Sequence, residues 1–176
     1  MPKLEKGMVQ VYTGNGKGKT TAAFGLALRA IGRGLRVCMI QFIKGGFDYG
    51  ELYVIDRLPG LKLKAYGRGK FVDGKKPDKT DVDLAEEALR TAEKALMEGE
   101  CDIVILDEVN VALSLKLIKT ESVLDLIRKK PAQVELVLTG RNAPSEIVEA
   151  ADLVTEMVEV KHPFSKGFRA RKGIEY

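Results

Sequence analysis

The sequence has no tryptophan, one histidine and two cysteines among 176 residues, and aromatic residues make up only 6% of it. A single histidine, His162, argues against a histidine-rich metal cluster and against a Ser-His-Asp catalytic arrangement. Cys38 and Cys101 stand beside apolar runs and form no C-x-x-C pair, a pattern typical of reduced, partly buried thiols. A fold held together by disulfides is therefore not expected.

Long apolar runs and a strong charge imbalance are also missing. No apolar run approaches the roughly 20 residues that a membrane span requires, and the first residues, Met-Pro-Lys-Leu-Glu-Lys, form no hydrophobic signal segment. The net charge of +4, from 29 basic and 25 acidic residues, is too small to indicate nucleic-acid binding by itself. We therefore expect a cytoplasmic protein that forms one domain over residues 1–176.

One glycine-rich stretch carries most of the functional information. It reads Thr13-Gly14-Asn15-Gly16-Lys17-Gly18-Lys19-Thr20-Thr21 and lies between an apolar run, 8–12, and a helical pattern, 21–31. That context is typical of a phosphate-binding loop, because glycines let backbone N–H groups approach a triphosphate at the N-terminus of a helix. Lys19 is expected to neutralise phosphate oxygens, and the Thr20 hydroxyl is expected to ligate Mg²⁺.

The loop departs from the usual G-x-x-x-x-G-K-[ST] pattern at one position. Thr13 stands where the first glycine would be, while Gly18-Lys19-Thr20 keeps the usual spacing. A dinucleotide-binding turn, G-x-G-x-x-G, would need a glycine at position 19, which is lysine. A glycine-rich turn with a chance Gly-Lys-Thr is the remaining alternative, and the agreement of strand, loop and helix disfavours it.

A second apolar stretch, 102–108, ends in the two carboxylates Asp107 and Glu108. Beside a phosphate loop, Asp107 is expected to hold the magnesium shell opposite Thr20, and Glu108 to bind metal or polarise a water. Asn110 is either a polar contact or a helix cap. Arg141 follows the strand predicted at 134–139 and is placed to meet phosphate or ribose, with a surface arginine in a turn as the alternative.

Three further segments are interpreted with open alternatives. Segment 43–51 follows the strand predicted at 35–42 and is either a ligand contact or a flexible surface loop. Segment 67–77 is long, basic and glycine-rich, exposes Phe71 and Val72, and is a candidate lid. The basic-aromatic tail 161–176 is expected to bind a polyanion such as RNA, to fold over the nucleotide site, or to be solvated.

The hydrophobic pattern predicts an α/β fold. The near-continuous apolar run 35–42 indicates a parallel sheet that is covered on both faces. The helix at 21–31 is apolar on nearly every face and is expected to be covered on most sides. A long helix is expected to start with a capping box at 80–83. Its core residues would be Val82, Ala85, Leu89, Ala92 and Leu96.

Six segments together resemble the ATP:corrinoid adenosyltransferases of the phosphate-loop type, over essentially the whole chain. They are 13–21, Gln41-Phe42-Ile43-Lys44-Gly45 with Gly50-Glu51, Leu106-Asp107-Glu108, Thr139-Gly140-Arg141, Val160-Lys161-His162 and Gly173-Ile174-Glu175-Tyr176. Thr13 is the residue usual at that position in the family. The resemblance implies a three-layer, RecA-like P-loop NTPase fold, with a mainly parallel sheet of about six strands and helices on both faces.

By that resemblance, the enzyme transfers the 5′-deoxyadenosyl group of ATP to the cobalt of a reduced corrinoid such as cob(I)alamin, releasing tripolyphosphate. Lys19 and Glu108 would act in catalysis, and Mg²⁺ or Mn²⁺ would be held by Thr20, Asp107 and Glu108. The residues that would bind ATP are Gly14, Asn15, Gly16, Lys17, Gly18, Lys19, Thr20, Thr21 and Arg141.

The resemblance also implies where the corrinoid binds and which partners the enzyme has. Phe71 is the nearest match to an aromatic residue that presses on the corrinoid face, with Val72 beside it, and Phe47 stands where a tryptophan is frequent. The sequence contains no Asp-x-His-x-x-Gly run, so a His-ligated cobalamin cofactor is not expected. A homodimer and a reductant such as a flavoprotein are implied. The alternatives are an ATPase or small kinase that acts at the γ-phosphate and, less favoured, an ATP-dependent RNA-binding protein.

Overall fold

Six parallel strands and their connecting helices make up the structure, a computed structural model that describes residues 4–72 and 77–176. The strands are β1 (Val9–Thr13), β2 (Val37–Gln41), β3 (Leu61–Ala65), β4 (Ile103–Asp107), β5 (Glu135–Thr139) and β6 (Leu153–Glu156). The α-helices are α1 (Lys19–Ile31), α2 (Lys79–Met97), α3 (Val109–Ser114), α4 (Thr120–Lys129) and α5 (Ser145–Glu149). Short 3₁₀ segments lie at Gly50–Tyr53, Ile55–Arg57 and Pro163–Lys166.

The strand order β3-β2-β4-β5-β1-β6 determines which residues can meet. All of the strand pairings are parallel, so the carboxyl ends of the strands share one edge of the sheet. In this register Gln41 lies opposite Asp107, and Tyr12 lies opposite Thr139. β5 separates β1, which leads into the phosphate loop, from β4, which ends in Asp107.

Helices cover both faces of the sheet, so the predicted three-layer α/β fold is confirmed. α1 packs its alanines on one face, against Met39, Ile105 and Val137. The opposite face carries the larger core, to which α2, α3, α4 and α5 all contribute. The strands β2, β4 and β5 are buried along their whole length, which explains their near-continuous apolar sequence.

The prediction that the first helix is covered on most sides is wrong. α1 buries a narrow stripe of alanines at 23, 27 and 30, while Leu28 is 59% exposed. Apolar composition does not show where the neighbouring elements lie, and only one face of α1 meets the sheet.

The predicted capping box at Thr80 is also displaced. α2 begins at Lys79, and its N-cap is Asp78, whose side chain accepts a hydrogen bond from the Thr80 N–H at 2.9 Å. The prediction of the core face of this helix is confirmed, because Ala85, Ala92 and Leu96 are buried.

The two cysteines are joined as a disulfide, so the expectation of reduced thiols is wrong. Their Cα atoms are 5.8 Å apart although 63 residues separate them in sequence. Cys38 lies on β2 and is paired with Val104 of β4, which brings Cys101, just before β4, to its side. This proximity depends on strand pairing, which cysteine spacing alone does not reveal.

Within residues 4–72 and 77–176, no helix is both long enough and apolar enough to span a bilayer.

Candidate functional site

The loop between β1 and α1 borders a cavity of about 440 Å³ at the carboxyl edge of the sheet. Gly14 and Gly18 have φ angles of 91° and 121°, which side-chain-bearing residues rarely adopt. A Cβ atom on Gly16 would lie 2.7 Å from the carbonyl oxygen of Met157, so this glycine is required by close backbone approach. The loop residues that line the cavity are Asn15, Gly16, Lys17, Gly18, Lys19, Thr20 and Thr21.

The side chain of Lys19 folds back onto its own loop. Its ammonium donates hydrogen bonds to the carbonyl oxygens of Gly14 and Gly16, each at 2.7 Å, and the residue is buried. Burial lowers the pKa of Lys19, although the nearby charge of Glu108 opposes the shift. The predicted phosphate lysine is therefore held at the cavity wall by loop carbonyls.

Asp107 is the centre of the polar network at this edge of the sheet. Its carboxylate is fully buried and accepts hydrogen bonds from four side chains. Thr20 Oγ1 and Thr139 Oγ1 donate to Oδ1 at 2.9 and 2.7 Å, and Gln41 Nε2 and Lys44 Nζ donate to Oδ2 at 3.1 and 2.8 Å. The structure thus brings together Thr20 and Asp107, the two residues predicted to share a metal.

Lys44 belongs to segment 43–51, which the sequence left open as a ligand contact or a flexible loop, and it was given no individual role. Its side chain is almost buried, and its ammonium also donates to Thr20 Oγ1 at 3.0 Å. Burial alone would lower the pKa of Lys44, but the charge and hydrogen bond of Asp107 outweigh it, so the pKa lies above its ordinary value. The available signal was a lysine just beyond the carboxyl end of a buried strand.

Glu108 lies beside this network at the N-cap position of α3, in a left-handed conformation with φ 62°. Such a backbone is uncommon for a residue with a side chain and often marks a functional constraint. Burial raises the pKa of Glu108, and the charge of Asp107 adds to the shift, whereas the nearby cations oppose it. The side chain lines the cavity.

Asn110 and Arg141 both lie near the carboxyl end of β5. Asn110 is buried and donates to the carbonyl oxygen of Gly140 at 3.4 Å, so it is the predicted polar contact, not a cap. Its Oδ1 has no hydrogen-bond partner within residues 4–72 and 77–176. Arg141 is exposed and lines the cavity, so its side chain is available to an anion there.

The C-terminal tail borders the cavity, which agrees with one of the three interpretations of this segment. His162 and residues 173–176 line the cavity. Lys17 of the phosphate loop donates to the carbonyl oxygen of Ile174 at 2.7 Å and lies 3.3 Å from the carboxylate of Glu175. A side-chain hydrogen bond from Arg171, helped by its backbone N–H and by Lys17, lowers the pKa of Glu175 to about 2.

An aromatic row connects the predicted corrinoid residues with this network. The Phe71 ring is 94% exposed and its centroid lies 5.9 Å from that of Phe47. Phe47 in turn lies 5.7 Å from the Tyr49 ring, and Lys44 Nζ is 5.2 Å from the Tyr49 centroid. Val72 is half-buried against the core, so it is less exposed than predicted. Of the predicted lid, residues 73–76 lie outside the described residues.

The oxygen atoms around Asp107 have the chemistry of a magnesium site. Mg²⁺ is usually held by one or two carboxylates together with substrate phosphates and water. Among the described residues, no group of three or more His, Cys, Asp and Glu side chains is arranged to hold a metal. Thr20, Asp107 and Glu108 offer one hydroxyl and two carboxylates, a set that would leave the remaining positions of a bound Mg²⁺ to phosphate oxygens and water. The buried Oε1 of Gln41, which has no partner in the described part of the chain, belongs to the same network.

The glycine loop, its lysine and threonine, and a buried aspartate on a nearby parallel strand define a phosphate-loop nucleotide-binding protein. The family model described as ATP:corrinoid adenosyltransferase BtuR/CobO/CobP matches residues 5–176. The chain belongs to this family, so the resemblance stated from the sequence and the assignment to the transferases are confirmed.

Curated relatives agree with the family assignment. A corrinoid adenosyltransferase of Sinorhizobium sp. is 40% identical over 174 residues, which cover 98% of this chain and 81% of the relative. One from Pseudomonas aeruginosa is 40% identical over 173 residues, covering 98% of this chain and 85% of the relative. One from Escherichia coli (strain K12) is 37% identical over 172 residues, covering 98% and 87%.

Proposed function

We propose that this enzyme transfers the 5′-deoxyadenosyl group of ATP to the cobalt of a reduced corrinoid and releases tripolyphosphate. The match to the adenosyltransferase family over residues 5–176 carries the choice of reaction. The cavity beside the glycine loop supports ATP as the group donor, since the loop and the cations Lys19 and Arg141 line it together.

The triphosphate binds along the loop, in contact with residues 14–21. Lys19 exchanges its two carbonyl partners for phosphate oxygens, and Arg141, which lines the same cavity, also contacts the phosphates. Lys17 also belongs to this set, but its ammonium is engaged by the tail at Ile174 and Glu175. ATP therefore competes with the tail for Lys17.

Thr20, Asp107 and Glu108 would hold Mg²⁺ or Mn²⁺ at the phosphates. When bound, such a cation supplies neutralising charge to the polyphosphate. Asp107 is held in position for this role by the hydrogen bonds that it accepts from Gln41 and Thr139. Lys19 and Glu108 are the proposed catalytic residues, because both face the cavity.

The transfer itself is a displacement at the ribose C5′ atom. The cob(I)alamin cobalt supplies the electron pair of the new Co–C bond, the C5′–O bond breaks, and its pair leaves with the triphosphate. The side chains position the reactants and stabilise the charge of the leaving group. The ribose, and not the γ-phosphate, must therefore face the corrinoid.

The corrinoid binds at the surface formed by Phe47, Phe71 and Val72. Phe71 has the most accessible ring and lies against Phe47, an arrangement that suits contact with a flat macrocycle. Val72 anchors this segment by packing against the core. The reduced state of the cobalt requires an electron donor, for which the family resemblance implies a flavoprotein.

A homodimer is the proposed assembly. In the described structure β6 pairs with β1 on one side only, and all four of its residues are exposed, including the apolar Leu153 and Val154. Such an edge suits a contact with a second copy. Light scattering coupled to gel filtration should give twice the mass of the chain, and a monomer at micromolar concentration would contradict the dimer.

The proposed reaction is tested by incubating the enzyme with MgATP and a chemically reduced corrinoid. The expected products are tripolyphosphate and a corrinoid whose alkyl-cobalt absorption spectrum is lost on illumination. ADP and inorganic phosphate as the only products would contradict the transfer and favour an ATPase or kinase. RNA binding that weakens steeply with salt would support the RNA-binding alternative.

A further inference from the structure

We propose that the ammonium of Lys44 is a resident counter-ion of the metal site and must leave before a divalent cation binds there. The proposal rests on the metal site of the proposed function and states when a metal ion can occupy that site. Metal enters the site together with ATP, and not before it.

The position of Lys44 carries this proposal. Its Nζ atom lies 2.8 Å from Asp107 Oδ2 and 3.0 Å from Thr20 Oγ1, so one cation already bridges the two oxygens that would ligate the metal. The side chain of Lys44 is 11% exposed and that of Asp107 is 0% exposed, so water screens the pair weakly. The bridge is a buried ion pair and not a surface contact.

A metal ion and this ammonium cannot occupy the site together. Mg²⁺ binds oxygen at about 2.0–2.1 Å, whereas Thr20 Oγ1 already donates to Asp107 and accepts from Lys44. A divalent ion at those oxygens would lie within a few ångströms of a buried positive charge, and their repulsion is large in such a setting. Lys44 has to move for the metal to bind.

The cavity offers Lys44 a second position. Lys44 lines the cavity together with Lys19 and Thr20, so a triphosphate there presents oxygens within its reach. Phosphate oxygens would then replace Asp107 as the partner of the ammonium, and the Asp107 carboxylate would be free to ligate the metal. The exchange keeps every buried charge paired, which a metal ion arriving without nucleotide does not achieve.

Lys44→Met tests the proposal through metal binding without nucleotide. Binding of Mn²⁺ to the ligand-free enzyme is measured by electron paramagnetic resonance, since free and bound Mn²⁺ differ in signal. We expect Lys44→Met to bind Mn²⁺ roughly tenfold more tightly than the wild type, because a repelling charge is gone. Lys44→Arg should bind Mn²⁺ as weakly as the wild type.

A matched control variant and a melting-temperature measurement separate the effect of Lys44 from a general loss of positive charge. Lys62→Met removes a lysine that pairs with Glu100 on the surface, so its Mn²⁺ affinity should equal that of the wild type. Since Lys44→Met leaves Asp107 buried without a cation, the variant should melt at a lower temperature in EDTA. Mn²⁺ should raise the melting temperature of Lys44→Met and leave that of the ligand-free wild type nearly unchanged.

Two outcomes would overturn the proposal, and they are distinguishable. If the wild type binds Mn²⁺ with ATP but Lys44→Met shows no tighter binding without ATP, Lys44 is only a structural partner of Asp107. If neither protein binds Mn²⁺ even with ATP, the metal site of the proposed function fails, and the role of Lys44 fails with it. Formation of the alkyl-cobalt product is scored separately.

Discussion

The two walls of the nucleotide cavity are built in different ways. The inner wall consists of the glycine loop with Lys19 and of side chains at the carboxyl ends of buried strands, centred on Asp107, whose hydrogen bonds are shielded from water. The outer wall consists of the tail, held to the loop through the exposed Lys17. The inner wall is fixed by the register of the sheet, whereas the outer wall rests on contacts that solvent weakens.

Asp107→Asn tests whether the inner wall stabilises the fold. Among the variants considered, it should have the largest effect on the protein. The substitution leaves the buried ammonium of Lys44 without its counter-charge. We expect the free energy of unfolding to fall by about 3–5 kcal/mol, measured by urea denaturation. Glu100→Gln, which breaks the exposed pair with Lys62, is the control and should unfold like the wild type.

Lys19→Ala tests the inner wall as a phosphate site. Loss of its ammonium should reduce ATP-dependent turnover about 100-fold or more, as for other groups that stabilise developing charge. The melting temperature should change little, because the partners of Lys19 are loop carbonyls that can bind water. Turnover is followed by the alkyl-cobalt spectrum, and unchanged kinetics would contradict the assignment.

Phe71→Ala tests whether the exposed aromatic surface has a role separate from the cavity. We expect corrinoid turnover to fall by about tenfold, in line with the loss of an aromatic contact. ATP affinity, measured by calorimetry, should stay near that of the wild type, because Phe71 does not line the cavity. An equal loss of both would mean that this segment is structural.

Glu175→Gln addresses the outer wall and should have the smallest effect. It weakens the contacts of the tail with Lys17 and Arg171. We expect faster cleavage of the tail by trypsin, and an ATP affinity that is unchanged or raised by less than about fivefold, because Lys17 is freed for phosphate. A severalfold weaker ATP affinity would instead show that the tail holds the nucleotide.

The same contrast explains what could be predicted from the sequence. The loop 13–21 and the strand ending in Asp107 were recognisable because each is a local pattern of apolar and glycine residues. The parallel three-layer fold followed from the continuous apolar strands. These features belong to the inner wall and to the core beneath it.

Features that depend on contacts between distant segments were missed or left open. Lys44 acquires its role because β2 lies beside β4, and the disulfide of Cys38 with Cys101 depends on the same pairing. The tail reaches the loop through Lys17 and Ile174, which are 157 residues apart. Residue spacing in one sequence does not encode which strands become neighbours.

The aromatic row that runs from Phe71 through Phe47 to Tyr49 places the surface proposed for the corrinoid in contact with Lys44. If MgATP displaces Lys44, the ring of Tyr49 loses its neighbouring cation. Tyr49 packs on Phe47, and Phe47 packs on Phe71, so the change is passed to the surface proposed for the corrinoid. Thermodynamic linkage then imposes a strict symmetry on the two substrates. If MgATP changes the dissociation constant of the corrinoid by some factor, the corrinoid changes that of MgATP by the same factor.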